Sequence, residues 1–245
     1  SMALTATGVA MAAPLTFSIS GPGITASGTF TYSEINLASY GTVPGYAGAW
    51  KIDGVTGTFA DSTLGISGNF VGVTPASMDY TSIPRPAGYP LPTDPPNRGV
   101  IEGTGLTFGK ISYDNIIYPG GDSPNTCPNY YSYGGGLLDL FGMLLNVESP
   151  GEAYFVNIWS NGNLNNPINP LGLDYGIAIG KNVGGDKPFE TLRYLGDGNV
   201  YESTPGSYTA SGITFSAVPE PSTYAMVIAG LAIAAFGAWR RSKRA

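Results

Sequence analysis

The chain has 245 residues, with 36 Gly, 20 Pro, 12% aromatic residues and only 11% charged ones, at a formal net charge of −6. The aromatic and apolar content excludes a disordered polymer, and the Gly and Pro content predicts a folded domain with many turns and a surface made mainly of Ser, Thr, Asn, Gly and Tyr. Up to Val218 there are 7 basic and 16 acidic residues, so the body stands at −9 and gives a nucleic-acid backbone no electrostatic footing.

Residues 1–13 are small and apolar, and Ala10-Met11-Ala12 fits the small-x-small cleavage rule. They read as the back half of a secretory signal whose basic n-region is missing, which predicts truncation at the front. Strand patterning follows. In Leu15–Ser20 the apolar Leu15, Phe17 and Ile19 alternate with Thr16, Ser18 and Ser20, and Gly21-Pro22-Gly23 turns the chain into Ile24–Tyr32. Gly48–Ile52, Val55–Phe59 and Leu64–Val73 form a second group, with Asp53-Gly54 as the expected hairpin turn between the first two. The Pro-rich stretch 74–99 carries seven prolines and reads as a linker or a long loop, since proline removes ladder donors.

Strands resume with Gly105–Phe108 and Ile111–Tyr118. Leu137–Val147 is apolar on both faces, so it belongs at the centre of a layered structure. With Ala153–Trp159 it predicts a hairpin at the heart of the core. Tyr175–Ile179, Phe189–Tyr194, Val200–Tyr201 and Tyr208–Phe215 complete the body. Ile24-Thr25-Ala26-Ser27-Gly28-Thr29-Phe30 echoes the run Tyr208–Phe215, which suggests that the first and last strands are neighbours in one sheet. The fold class expected for 14–216 is all-β, an antiparallel β-sandwich of jelly-roll type.

Catalytic chemistry is sparsely provided. The chain has no histidine, which excludes Ser-His-Asp and Cys-His arrangements and the usual histidine-bearing metal sites. The single cysteine, Cys127, lies in a Pro- and Asn-rich loop without a neighbouring base. Carboxylates are the remaining acid–base groups, and Asp139, Glu148, Glu152 and Asp174 lie on or near core strands. Glycosidases use two carboxyl groups roughly 5–9.5 Å apart. Asp197-Gly198-Asn199 and Asp53-Gly54 carry loop oxygens of the kind calcium takes, without a full ligand array. No catalytic residue, metal ligand set or cofactor is assigned. Tyr130, Tyr131, Tyr133 and Trp159, beside Asn-rich loops, are the candidate glycan-stacking side chains, with capping of the core as the plainer role. Regular Thr-x-Thr ladders, the surface a flat ice-binding face would use, are absent.

The C-terminus is the most specific stretch. Pro219-Glu220-Pro221 forms a stiff, extended triplet, because each proline fixes its own φ and pushes the preceding residue to extended geometry. Ser222 and Thr223 suit a helix N-cap. Tyr224–Trp239 is then uncharged, and 16 residues of helix rise about 24 Å. That is short of the ~30 Å hydrocarbon core, a gap that interfacial Tyr224 and Trp239 and snorkelling Arg240 and Arg241 close. Arg240, Arg241, Lys243 and Arg244 form the basic stop. By the positive-inside rule they remain in the cytoplasm while the body lies outside.

Triplet, apolar helix and Arg-rich end in this order resemble the PEP-CTERM sorting signal of bacterial exported proteins, over residues 217–245. The resemblance implies an exosortase-like processing enzyme that reads and cuts near the motif. It also implies a mature protein at the cell surface or in an exopolysaccharide matrix, with the helix as a temporary membrane anchor. The expectation is a non-enzymatic surface protein whose body is structural or adhesive. A carbohydrate-binding module is the alternative, and a carboxylate-based glycan hydrolase a more distant one.

Overall fold

The computed structural model describes residues 14–34, 49–76, 78–79, 97–106, 109–121, 123, 136–161, 174–196 and 210–219. Among them there is no helix, and so none long and apolar enough to cross a membrane. The signal remnant 1–13, the expected helix 224–239, Glu220, Pro221 and the basic stop lie outside the described residues, as do Cys127, Tyr130, Tyr131 and Tyr133.

The strands in chain order are β1 (Leu15–Gly21), β2 (Ile24–Glu34), β3 (Trp50–Asp61), β4 (Ile66–Val73), β5 (Met78–Asp79), β6 (Asn97–Thr104), β7 (Lys110–Tyr113), β8 (Ile116–Ile117), β9 (Met143–Ser149), β10 (Glu152–Ser160), β11 (Tyr175–Asn182), β12 (Phe189–Leu195) and β13 (Thr214–Pro219). They form one sheet in the order β13-β1-β2-β3-β4-β9-β10-β11-β12-β6-β5, with β7 paired to β6 and β8 to β3. Every pairing is antiparallel except the short parallel contact of β12 with β6. The all-β expectation holds. The jelly-roll arrangement does not: β1–β4 and β9–β12 are up-and-down meanders within one curled sheet, in which each strand pairs with its sequence neighbour.

The curl is driven by the alternating side chains. In β1 Leu15, Phe17 and Ile19 are buried while Thr16, Ser18 and Ser20 face out, a period of two that places one apolar row on one face. Phe17 stacks on Phe30 at 4.0 Å and meets Phe70 at 5.7 Å and Phe215 at 6.4 Å. From across the curl come Val147, Val156, Ile158, Ile177 and Ile179. β2 and β3 cross closely where Gly28 opposes Gly57. A Cβ on Gly28 would lie 2.0 Å from the Thr56 carbonyl oxygen, and Gly57 has φ +139°, so neither position accepts a side chain.

Strands β9 to β11 are buried on both faces, as the doubly apolar sequence requires. Their second face forms a separate core of Leu144, Phe155, Trp159 and Ala178, covered by Ile101, Ile111 and Tyr113 of the β6–β7 hairpin and by Phe189. β5 and the first residues of β6 fall within the Pro-rich stretch 74–99, so part of it is strand; residues 80–96 lie outside the described set.

Three boundaries differ from expectation. Asp53-Gly54 is not a hairpin turn: β3 runs through it, and the register shift opposite Thr31 and Tyr32 makes Asp53 the extra residue of a bulge. Residues 137–142 are bends rather than strand. There the Asp139 carboxylate accepts N–H bonds from Phe141 (2.9 Å) and Gly142 (3.1 Å) in place of a ladder. Ile111–Tyr118 is broken at Asp114-Asn115, where Asn115 adopts φ 59° and donates its side-chain amide to the Thr74 carbonyl at 2.7 Å.

Two buried phenols carry a pH dependence. The Tyr113 hydroxyl donates to the Pro75 carbonyl at 3.3 Å, and burial pushes its pKa up to about 12. Burial also raises Tyr175 to about 12, against the smaller opposing effect of the Leu137 N–H that its oxygen accepts. Both folded values exceed the ordinary value near 10. The stability from these neutral phenols is therefore complete below about pH 10 and is lost as pH rises through 12. The denaturant midpoint will be flat from neutrality to about pH 10 and then fall. Tyr113→Phe and Tyr175→Phe together will blunt that fall, whereas an unchanged alkaline slope would show that other groups cause it.

Candidate functional site: the sorting junction and the hydroxyl face

The last strand reaches the Pro-Glu-Pro triplet without a spacer. β13 pairs with β1 at six positions, from Ser20 opposite Thr214 to Leu15 opposite Pro219, so the first proline of the triplet is itself a paired strand residue. It stands at the end of an outer strand, where a missing N–H is tolerated. β13 is tied in by its side chains as well. Phe215 is buried against Phe17, Phe30 and Tyr175. On the outer side the Ser18 and Ser216 hydroxyls are 2.8 Å apart, and those of Ser20 and Thr214 2.6 Å. First and last strands are thus neighbours; β2, which holds the first echoing segment, and β13, which holds the last two residues of the second, flank β1.

The outer face of β13-β1-β2-β3-β4 is a grid of hydroxyls. Register places Ser216, Ser18, Ser27, Thr58 and Asn69 in one row across five strands. Thr214, Ser20, Thr25, Ala60 and Ser67 form a second row. Thr16, Thr29 and Thr56 form a third. These rows carry no charged side chain. A groove of about 440 Å³ opens on the first two of them, lined by Thr25, Ser27, Thr58, Ala60 and Ser67 and floored by Ile19, Ala26 and Phe59. These mixed rows of Ser, Thr, Asn and Ala are not regular Thr-x-Thr ladders. The grid runs across strands, at the ~4.8 Å spacing of neighbouring strands, and only the pairing register reveals it. The signal available in the sequence was the polar half of each alternating strand.

The remaining candidates are placed as follows. Trp159 is 0% exposed and belongs to the second core, so the stacking role is corrected to packing. Asp139 is buried and holds the bend described above. Asp174 accepts from Asn161 Nδ2 at 2.6 Å, the Ser211 N–H at 2.9 Å and the Ser211 hydroxyl at 2.8 Å, fastening the entry of β13 to β11. Tyr175 then bridges to Ile213 and draws the curl together. Glu152 bonds Lys181 and the Tyr154 hydroxyl, which hold its carboxyl below the usual range, Lys181 contributing most. Glu148 is exposed near the end of β9, opposite Asn69 and Ala153. Among the described residues no three acidic or cysteine side chains gather as a metal site.

Arg193 was not anticipated. From β12 its Nη1 bonds Asp61 Oδ2 at 2.6 Å, and its Nη2 bonds the Pro22 carbonyl at 2.7 Å. Asp61, 0% exposed, spends its other oxygen on the N–H groups of Thr63 and Leu64.

The strand-rich body ends flush against the Pro-Glu-Pro triplet. The family model for the PEP-CTERM protein-sorting motif matches residues 217–242. The chain carries this motif, which marks it as an exported, envelope-associated protein sorted through an exosortase. Comparison with curated proteins and with solved structures returns no match.

Proposed function

We propose that the body is a non-enzymatic surface domain, structural or adhesive, held outside the cytoplasm by a single helix at 224–239 with Arg240, Arg241, Lys243 and Arg244 on the cytoplasmic side. The observation that carries this reading is the sorting motif at 217–242, joined directly to β13. The structural duties of Asp139, Asp174 and Glu152 support the absence of catalysis, since each carboxylate already serves a bend, a strand entry or an ion pair. Topology is tested in a Cys127→Ser background. A cysteine at the exposed Ser62 turn will react with a membrane-impermeant maleimide in intact spheroplasts, and one at Ser242 will react only after lysis. The reverse pattern would overturn the reading.

The hydroxyl groove favours a second role, binding of a neutral polysaccharide. Uncharged hydroxyls select against ionic polymers, and a repeating chain multiplies weak contacts by effective concentration. Co-sedimentation of the full chain with insoluble neutral glucan is expected, with at least a tenfold loss on Ser27→Asp combined with Thr58→Asp. Equal retention of that variant would remove the face from consideration.

A further inference from the structure

We infer that the body makes an internal ester cross-link from its own residues, between the Ser211 hydroxyl and the Asn161 side-chain amide, with Asp174 as the general base. The bond joins the end of β10 to the entry of β13.

Three side chains of complementary chemistry meet here out of water. Asn161 is 0% exposed, Ser211 5% and Asp174 6%. The Asp174 carboxylate touches both reacting groups: its Oδ1 accepts the Ser211 hydroxyl at 2.8 Å, and its Oδ2 accepts Asn161 Nδ2 at 2.6 Å. The Ser211 backbone N–H bonds the same Oδ2 at 2.9 Å, so serine and amide are held on one carboxylate. The main chain keeps them there, with the Asn161 N–H on the Asp174 carbonyl at 2.9 Å and the Tyr175 N–H on the Ile213 carbonyl at 3.3 Å. The Ile213 N–H donates to Ser211 Oγ at 2.9 Å. The amide oxygen of Asn161 lies against Gly196, where a Cβ would sit 2.8 Å from Oδ1 and φ is +104°. A glycine at that position leaves the oxygen its room.

A carboxylate that merely fastens a strand can use donors of any kind. The donors here are a nucleophile and an amide whose nitrogen can leave. Ser211 Oγ attacks Asn161 Cγ and gives its proton to Asp174, while the Ile213 N–H stabilises the negative charge gathering on that oxygen. The Oγ–Cγ bond forms and the Cγ–Nδ2 bond breaks. The proton passes from Asp174 to the departing nitrogen, which leaves as ammonia, and Asp174 ends as the carboxylate it was. One base in contact with both nucleophile and leaving group serves both proton transfers. An amide resists a dilute alcohol, but well-oriented internal groups react at effective molarities of about 10⁵–10⁸ M. Exclusion of water then protects the ester from hydrolysis. The event occurs once per chain and consumes no outside substrate, so it is compatible with a non-enzymatic body. It closes the curl covalently beside the Tyr175–Ile213 bridge.

Mass spectrometry of the full chain, purified in detergent and held at neutral pH, tests this. The chain is expected to be lighter than its sequence mass by one ammonia. Proteolysis is expected to yield one branched peptide containing Asn161 and Ser211, which hydroxylamine splits into two. Ser211→Ala and Asp174→Asn are expected to show the full sequence mass and two separate peptides, with the circular dichroism of the parent. A parent chain at full sequence mass with the two peptides separate would overturn the inference, whether or not either variant folds. An ammonia loss that persists in Ser211→Ala would also overturn it, because that loss would be a succinimide at Asn161-Gly162.

Discussion

Trp159→Ala will lower the stability of the body by about 3–5 kcal/mol, the range for truncating a large buried aromatic. Among the described residues Trp159 is the largest fully buried side chain, packed with Phe155, Phe189, Leu144 and Ala178. Its ring lies against Gly176, where a Cβ would sit 2.2 Å from Trp159 Cε2, and its centroid is 5.3 Å from that of Tyr194. Neighbours fixed on β10, β11 and β12 cannot collapse into the space, so the cavity cost adds to the lost burial. A domain of this kind has ~5–15 kcal/mol in total, so the variant will be close to unfolding. The check is the urea midpoint of the detergent-solubilised chain followed by circular dichroism. Gly176→Ala will be destabilising by about 1–3 kcal/mol through overpacking, and Trp159→Phe in that background will recover part of the loss. An unchanged midpoint for Trp159→Ala would mean that the ring is not core, and would return it to the list of surface contacts.

Arg193→Leu will cost about 3 kcal/mol, because it leaves the Asp61 carboxylate buried with one oxygen deprived of its charged partner. The pair is separated by 132 residues in sequence and has side-chain exposures of 14% and 0%. Its second bond, to the Pro22 carbonyl, fastens β12 to the β1–β2 turn, so the same side chain ties the far meander to both near hairpins. Asp61→Asn alone will weaken the pair but keep an acceptor for the Thr63 and Leu64 N–H groups. The double variant will lose less than the sum of the singles, with a coupling of about 1–3 kcal/mol. Burial predicts little response to salt. Strict additivity across the cycle, or a midpoint that collapses with added salt, would show the pair to be an ordinary surface contact.

Both predictions concern residues whose roles were only partly legible in the sequence. Alternation in Leu15–Ser20 and the doubly apolar run ending in Met143–Val147 announced strands and their burial, because side-chain period and hydrophobicity are local properties. The limits of those strands were less legible. Asp53-Gly54 has the composition of a turn, yet pairing with β2 carries β3 through it as a bulge. Asp139 reads as a strand residue, yet its carboxylate organises a bend. In each case a side chain or a neighbouring strand competes with the local preference, and the competitor is distant in sequence. Trp159 carried the same ambiguity: beside Asn-rich loops a tryptophan suits a sugar or a core equally, and only the β6–β7 hairpin laid over β9–β11 decides between them.

The sequence by itself determined the address and the material: a Pro-Glu-Pro triplet ahead of an apolar run and a basic end, and a charge-poor, glycine-rich all-β body without histidine. These are properties of composition and short-range order, and they need no partner strand to be read. Tertiary structure alone decided that the strands form one curled sheet, that serines and threonines from five strands align into a hydroxyl face, and that Arg193 finds Asp61. It also decided that Pro219 is still part of the sheet where the sorting motif begins. Register and closure arise from pairings between residues up to about two hundred positions apart, such as Ser18 with Ser216. No local pattern encodes them, because the energy that selects them is gained only when distant strands of the curled sheet meet around a common core.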